Sequence, residues 1–137
     1  MEKKLRKRLV KILIVIGTIT IGQFCTYKKA EPEPACSALP DTVSFMQDII
    51  PILTANCALS GCHTVPNPEQ GLNLSATTAY SQLLNPSKGY VVPGNPLYSV
   101  VYAQITTAAQ IMPPSGKMDN CSINTIQAWI QQGAKNN

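Results

Sequence analysis

Seven consecutive residues hold most of the reactive chemistry in this chain: Cys57-Ala-Leu-Ser-Gly-Cys62-His63. Two cysteines with a histidine directly after the second is the order that attaches a c-type haem. Each thiol adds across a haem vinyl group to give a thioether, and the adjoining imidazole is placed to bind the iron. The usual spacing puts two residues between the cysteines; here there are four. With two, the sulfurs lie about one helical turn apart on one face. With four, the chain must bulge to bring both to one porphyrin edge, and Gly61 is the residue able to take the positive φ of such a bulge. Two other chemistries use the same residue types. A Cys57–Cys62 disulfide would close a small loop and leave His63 incidental. A structural zinc site wants four ligands, usually as two separated pairs. This chain has one histidine and no second CxxC, so Cys121 alone would have to complete the set.

A second stretch, Ile111-Met112-Pro-Pro-Ser-Gly116, offers a soft donor. A thioether sulfur opposite a histidine suits haem iron and raises its reduction potential. Two prolines after Met112 stiffen the loop that would hold the sulfur. Met118, six residues on, competes for the role, and Met46 is a third candidate close to the attachment segment. A buried methionine in an ordinary core is the competing reading for each.

The elements that must position these residues follow from apolar spacing. Ile49, Ile52 and Leu53 recur at helical intervals, which predicts a helix over 48–57 that delivers Cys57. With Asp48 as N-cap, Pro51 falls at the third helical position, where its missing N–H costs no helix bond. Thr64 to Gln70 is a loop, and Gly71-Leu-Asn-Leu-Ser75 is a short extended piece. Thr77 to Leu84 is a short helix with Tyr80, Leu83 and Leu84 on one face. Asn95 and Pro96 then cap and open another helix, with Leu97, Val100, Val101 and Ile105 facing inward. Ile123, Ile126, Trp129 and Ile130 mark a last helix, capped by Ser122 and stopped at Gly133. The expected architecture is all-α, about four short helices joined by long loops. Trp129 is expected to pack against the first helix or the cofactor edge.

Length and charge narrow the function. The chain has 137 residues, a one-domain length, and 45% of them are hydrophobic. Its net charge of +4 misleads, because six lysines and arginines precede residue 12. From residue 35 on, three lysines face four acids, so no nucleic-acid surface is expected. The basic head and the apolar run Ile12 to Phe24 read as an export segment over residues 1–25, too short for a span of about 20 apolar residues. Cys25 stands where a bacterial lipoprotein carries its lipidated cysteine, although Phe24 occupies a place where a small residue is usual. An uncleaved anchor and ordinary secretion are the other readings. Residues 26–40, with Glu-Pro-Glu-Pro, form a polar tether, and 41–137 form the domain. Cys36 and Cys121 are left over. In an oxidising compartment they are expected to pair, tying the start of the domain to the start of its last helix; two unrelated thiols are the other reading, since sequence does not fix connectivity.

Taken in order, these pieces resemble the cytochrome c family, and more narrowly the small exported cytochrome-c-like domains of Bacteroidetes and planctomycete type. The likeness runs over about residues 41–137. It is carried by Asp48-Ile-Ile-Pro-Ile-Leu53, the Cys57–His63 motif, Gly71-Leu-Asn-Leu74, Pro93-Gly-Asn-Pro96 with Ser99 and Tyr102, Met112-Pro-Pro114, and Ala128-Trp-Ile-Gln-Gln-Gly-Ala134. The resemblance implies a cytochrome c-like fold around one covalently bound haem c. Cys57 and Cys62 would be its thioether anchors, and His63 and Met112 its axial ligands. The longer cysteine spacing departs from ordinary cytochromes c.

Three functions follow from different classes. The first is a single-haem electron carrier outside the cytoplasmic membrane, held by a lipid anchor and meeting a redox protein partner. It is not an enzyme: the only histidine is claimed by iron, so no Ser/His/Asp set is possible. The second is a haem enzyme such as a peroxidase, or a sensor, with a displaceable Met112. The third is a haem-free module held by disulfides.

Overall fold

Phe45 decides where the first helix begins. Its ring is buried, 1% exposed, against Trp129 and Tyr80, with ring centroids 5.2 and 5.1 Å away. Burying such a side chain stabilises by about 1.5–3 kcal/mol, more than the roughly 1 kcal/mol a cap contributes. The helical path therefore starts at Phe45, capped by Ser44, and not at the expected Asp48. In the computed structural model, which describes Cys36, residues 39–107, Ala109 and residues 111–137, a wide π-helical turn over Phe45–Ile49 runs directly into helix α1, Ile50–Asn56. Pro51 is the second residue of α1 and has no N–H to continue the ladder. It falls where the bonding steps from five residues back, Ile49 N–H to the Ser44 carbonyl, to the ordinary four.

The N–H groups that open this segment all find acceptors. Ser44 N–H donates to Asp48 Oδ2 at 2.7 Å, and Gln47 N–H to Ser44 Oγ at 3.2 Å. Phe45 N–H reaches Asn137 Oδ1 at 3.1 Å and Met46 N–H the Asn137 carbonyl at 3.1 Å. Asp48 thus supports the cap from inside the turn. Phe45, Ile49 and Leu53 line one buried stripe that leads to Cys57.

Three further helices follow: α2, Ala79–Leu83; α3, Val100–Thr106; and α4, Asn120–Gln131. Single turns at Glu69–Gly71 and Pro96–Tyr98 break the loops between them. No strand occurs among the described residues, so this part of the chain is all-α. They lie in one compact unit, Pro34–Asn137. Among them no helix is long and apolar enough to cross a membrane. The export segment, Cys25 and most of the tether lie outside the described residues.

The stretch from Asn95 is two elements where one helix was expected. Ser99 is extended between them and buried, its hydroxyl accepting from Val92 N–H at 2.9 Å and donating to the Asn95 carbonyl. This break resets the helical phase. Leu97 consequently points outward, 82% exposed, while Ile105 stays buried and Val100, 42% exposed, lines the same cavity as Cys57.

Helix α4 is the centre of the core. Ile123, Ile126, Trp129 and Ile130 are buried and pack against α3 and the Phe45–Ile49 turn. Trp129 therefore meets the start of the first helix, and its indole N–H donates to the Lys135 carbonyl at 2.9 Å. The cap of α4 is Asp119, three residues before the expected Ser122. Asp119 Oδ1 accepts from Ser122 N–H at 2.8 Å and Oδ2 from the Ser122 hydroxyl at 2.6 Å. Gly133 ends the helix at φ +95°, with Gly133 N–H bonded to the Ile130 carbonyl and Ala134 N–H to that of Trp129, a Schellman closure.

Candidate functional site

Helix α1 ends at Asn56, and the next residue begins the chemistry. Cys57 N–H and Ala58 N–H both donate to the Leu53 carbonyl at 2.8 Å, which unwinds the last turn. The chain then bulges. Gly61 adopts φ +76°, Cys62 N–H donates to the Leu59 carbonyl, and His63 N–H returns to the Cys57 carbonyl at 3.0 Å. That last bond brings the two ends of the motif together despite the four residues between the cysteines. Two bonds from below hold the loop: Glu69 N–H to the Cys62 carbonyl, and Leu74 N–H to the His63 carbonyl at 2.7 Å.

The imidazole is fixed by a backbone atom. His63 Nδ1 lies 3.2 Å from the Leu72 carbonyl oxygen. A carbonyl only accepts, so Nδ1 carries a proton, and in the neutral ring Nε2 then keeps its lone pair, the form that binds a metal. Leu72 and Leu74 are buried and Asn73 between them is not, in keeping with the extended reading of that piece.

Cys57, Cys62 and His63 open onto a cavity of about 630 Å³. Leu53, Leu72, Leu74, Val101, Ile105 and Ile126 supply much of its apolar wall. Met112, Pro113 and Pro114 line it as well. Met112 is held there through its N–H, which donates to the Gln104 carbonyl at 2.8 Å, and its side chain is 36% exposed. Met118 is 5% exposed in the core and Met46 is exposed on the surface; neither lines the cavity. Of the methionines in the described residues, Met112 alone shares a cavity with the motif.

Burial, and after it the charge of Cys62, pushes the Cys57 thiol up from 9.0 to about 11. Both Cys57 and Cys62 stand as half-buried thiols. Cys36 and Cys121 are joined to each other, Cα atoms 5.3 Å apart, which anchors the start of the unit to the first turn of α4. Cys121 is thereby engaged away from the cavity. Among the described residues no group of three or more His, Cys, Asp or Glu is placed to hold a metal ion.

The donor set and the cavity fit a haem. Its volume lies within the roughly 300–1,000 Å³ of cofactor sites, and its lining is apolar with a few polar groups. Cys57 and Cys62 would hold the group, and His63 Nε2 and Met112 Sδ would be the donors available to its iron. The sequence offered no signal for the Leu72 carbonyl, because any residue type supplies the same atom. It also offered none for Tyr90 and Gln104, which line the cavity beside the expected residues. No family model, curated protein or solved structure matches the chain.

Proposed function

We propose that this chain is a single-haem c-type cytochrome, with a cytochrome c-like fold and one haem c per chain, that carries electrons outside the cytoplasmic membrane. One observation carries the reading: Cys57, Cys62, His63 and Met112 line a single apolar cavity, with the lone pair of His63 Nε2 left available by the Leu72 carbonyl. When bound, haem c supplies a one-electron couple. The chain's own part is to hold, orient and keep dry. The motif loop presents two thiols and an imidazole from one side. The residue 112–114 loop presents a thioether, and the apolar wall excludes water, which with a histidine–methionine pair raises the potential. The reading includes export, a lipid anchor on Cys25 that keeps the domain at a membrane surface, and a redox protein as partner.

The test is to export the full chain in a host with haem-attachment machinery, record oxidised and reduced spectra, then denature in acid and extract with organic solvent. Haem retained on the polypeptide, together with a methionine–iron charge-transfer band, is the expected result. Retained haem without that band favours an open iron, and with it a peroxidase or sensor. No retained haem sinks the cytochrome reading and leaves the motif as a thiol or disulfide loop.

A further inference from the structure

Once the attachment residues are assigned, the cavity wall still holds the polar side chains of Asn56, Glu69, Gln70, Tyr90 and Gln104. Tyr90 and Gln104 both line the cavity and are half-buried. Neither the Tyr90 hydroxyl nor the Gln104 amide has a hydrogen-bond partner among the described residues. Asn56, in the same wall, differs: its amide donates to the Ile52 carbonyl at 2.9 Å.

Tyr90 and Gln104 are both tied to helix α3. Val101 N–H donates to the Tyr90 carbonyl at 3.0 Å, which sets Tyr90 beside the first turn of α3. Gln104 lies one turn further along α3, and its carbonyl holds Met112 N–H. Both backbones are thus fixed by bonds that do not involve their side chains.

The charge of the lining indicates what these donors meet. No lysine or arginine lines the cavity among the described residues, and Glu69 is its one carboxylate. A haem carries two propionate carboxylates. An anion taken into an apolar site without hydrogen bonds is strongly disfavoured. With no cation to pair with, the propionates must find solvent or neutral donors, and repulsion disfavours a seat against the Glu69 carboxylate. Gln70 also lines the cavity, but it is exposed and adjoins Glu69. Building on the haem reading, we infer that Tyr90 and Gln104 are the neutral hydrogen-bond donors that receive a carboxylate of the bound haem, the Tyr90 hydroxyl and the Gln104 amide each giving one hydrogen.

The test separates the carboxylates from the rest of the porphyrin. The full chain carrying Cys57→Ala and Cys62→Ala binds its probe reversibly, and two probes are titrated: iron protoporphyrin IX and its dimethyl ester. Tyr90→Phe and Gln104→Leu should each weaken the free acid by roughly ten- to a hundred-fold, the loss of a hydrogen bond to a charged group. Ester binding should stay unchanged. Equal losses for both probes, or none for either, overturn the inference while leaving the haem reading in place. A folded parent that binds neither probe overturns the haem reading, and this inference with it. The exported covalent protein gives an independent readout. There the same two substitutions should shift the propionate bending band in resonance Raman spectra, and a band unmoved by both overturns the assignment.

Discussion

His63 Nδ1 and the Leu72 carbonyl oxygen, 3.2 Å apart, set the tautomer of the only histidine in the chain. Leu72 is itself buried, so the acceptor is held by core packing rather than by a mobile side chain. In the unloaded chain, at a pH where the ring is neutral, nitrogen NMR should show Nδ1 protonated and Nε2 bare. With one histidine there is no ambiguity of assignment. The opposite tautomer would mean that the Leu72 contact is not maintained in solution.

Met112 and Met118 should respond in opposite ways. Met112 is partly exposed on a loop, so Met112→Ala should change stability by no more than about 0.5 kcal/mol. In the haem-loaded protein it should lower the potential and open the iron to added ligands, because a methionine opposite histidine raises the potential. Met118 is buried, and Met118→Ala should cost about 2–5 kcal/mol with the spectrum unchanged. Paired denaturation curves and redox titrations decide it; an unchanged potential for Met112→Ala removes that residue from the iron.

Gly61 is the hinge of the lengthened motif. Its φ is +76°, and a Cβ built there would meet nothing within 4 Å. The penalty of Gly61→Ala is therefore backbone strain alone, about 1–2 kcal/mol. Gly61→Asn should cost less, since asparagine tolerates this conformation. Thermal melts and the fraction of chains that acquire covalent haem should both rank glycine, asparagine, alanine. Alanine equal to glycine would show that the bulge takes another shape.

The Cys57 thiol is pushed up to about 11 from 9.0, first by burial and then by Cys62. The thiolate is the reactive form, so a rise from 9.0 to about 11 lowers its population about a hundred-fold below pH 9. Iodoacetamide applied to the unloaded native chain should therefore label Cys62 before Cys57, with Cys57 reacting far more slowly than an unstructured thiol. Peptide mapping reads the order directly. Denaturant should abolish the difference.

Asp119 caps α4, and its carboxyl is held below its ordinary value of 3.8, first by the Ser122 hydroxyl and then by the Ser122 N–H. A lowered folded value means the native state favours the charged form. The stabilisation is present above about pH 4 and is lost as pH falls through the lowered folded value. Asp119→Ala should cost about 1 kcal/mol near neutrality, and the gap from the parent should shrink in acid. A gap that stays constant from neutral pH down through strong acid would rule out this account.

Much of the arrangement was legible because it rests on local rules. Apolar residues at helical spacing place Ile123, Ile126, Trp129 and Ile130 inward in any chain that buries this helix. The stop at Gly133 needs only a glycine and the positive φ it permits. The boundaries that shifted are those where competing local signals are close in energy. Ser44 and Asp48 are both cap-forming residue types, as are Asp119 and Ser122, and propensity alone does not rank them. The burial of Phe45 against Trp129, 84 positions away in sequence, settles the first. The hydrogen bonds of Asp119 to both the N–H and the hydroxyl of Ser122 settle the second.

The sequence by itself determined the chemistry on offer: two cysteines and a histidine in an order that resembles a haem-attachment motif, and a methionine before two prolines further on. It also determined that Gly61 could turn the motif back on itself. Only the tertiary structure decided which methionine shares the cavity, which atom of His63 is left bare, and which polar groups face the cavity unpaired. Those depend on contacts between distant segments and on backbone carbonyls, and a backbone carbonyl looks the same in every residue type.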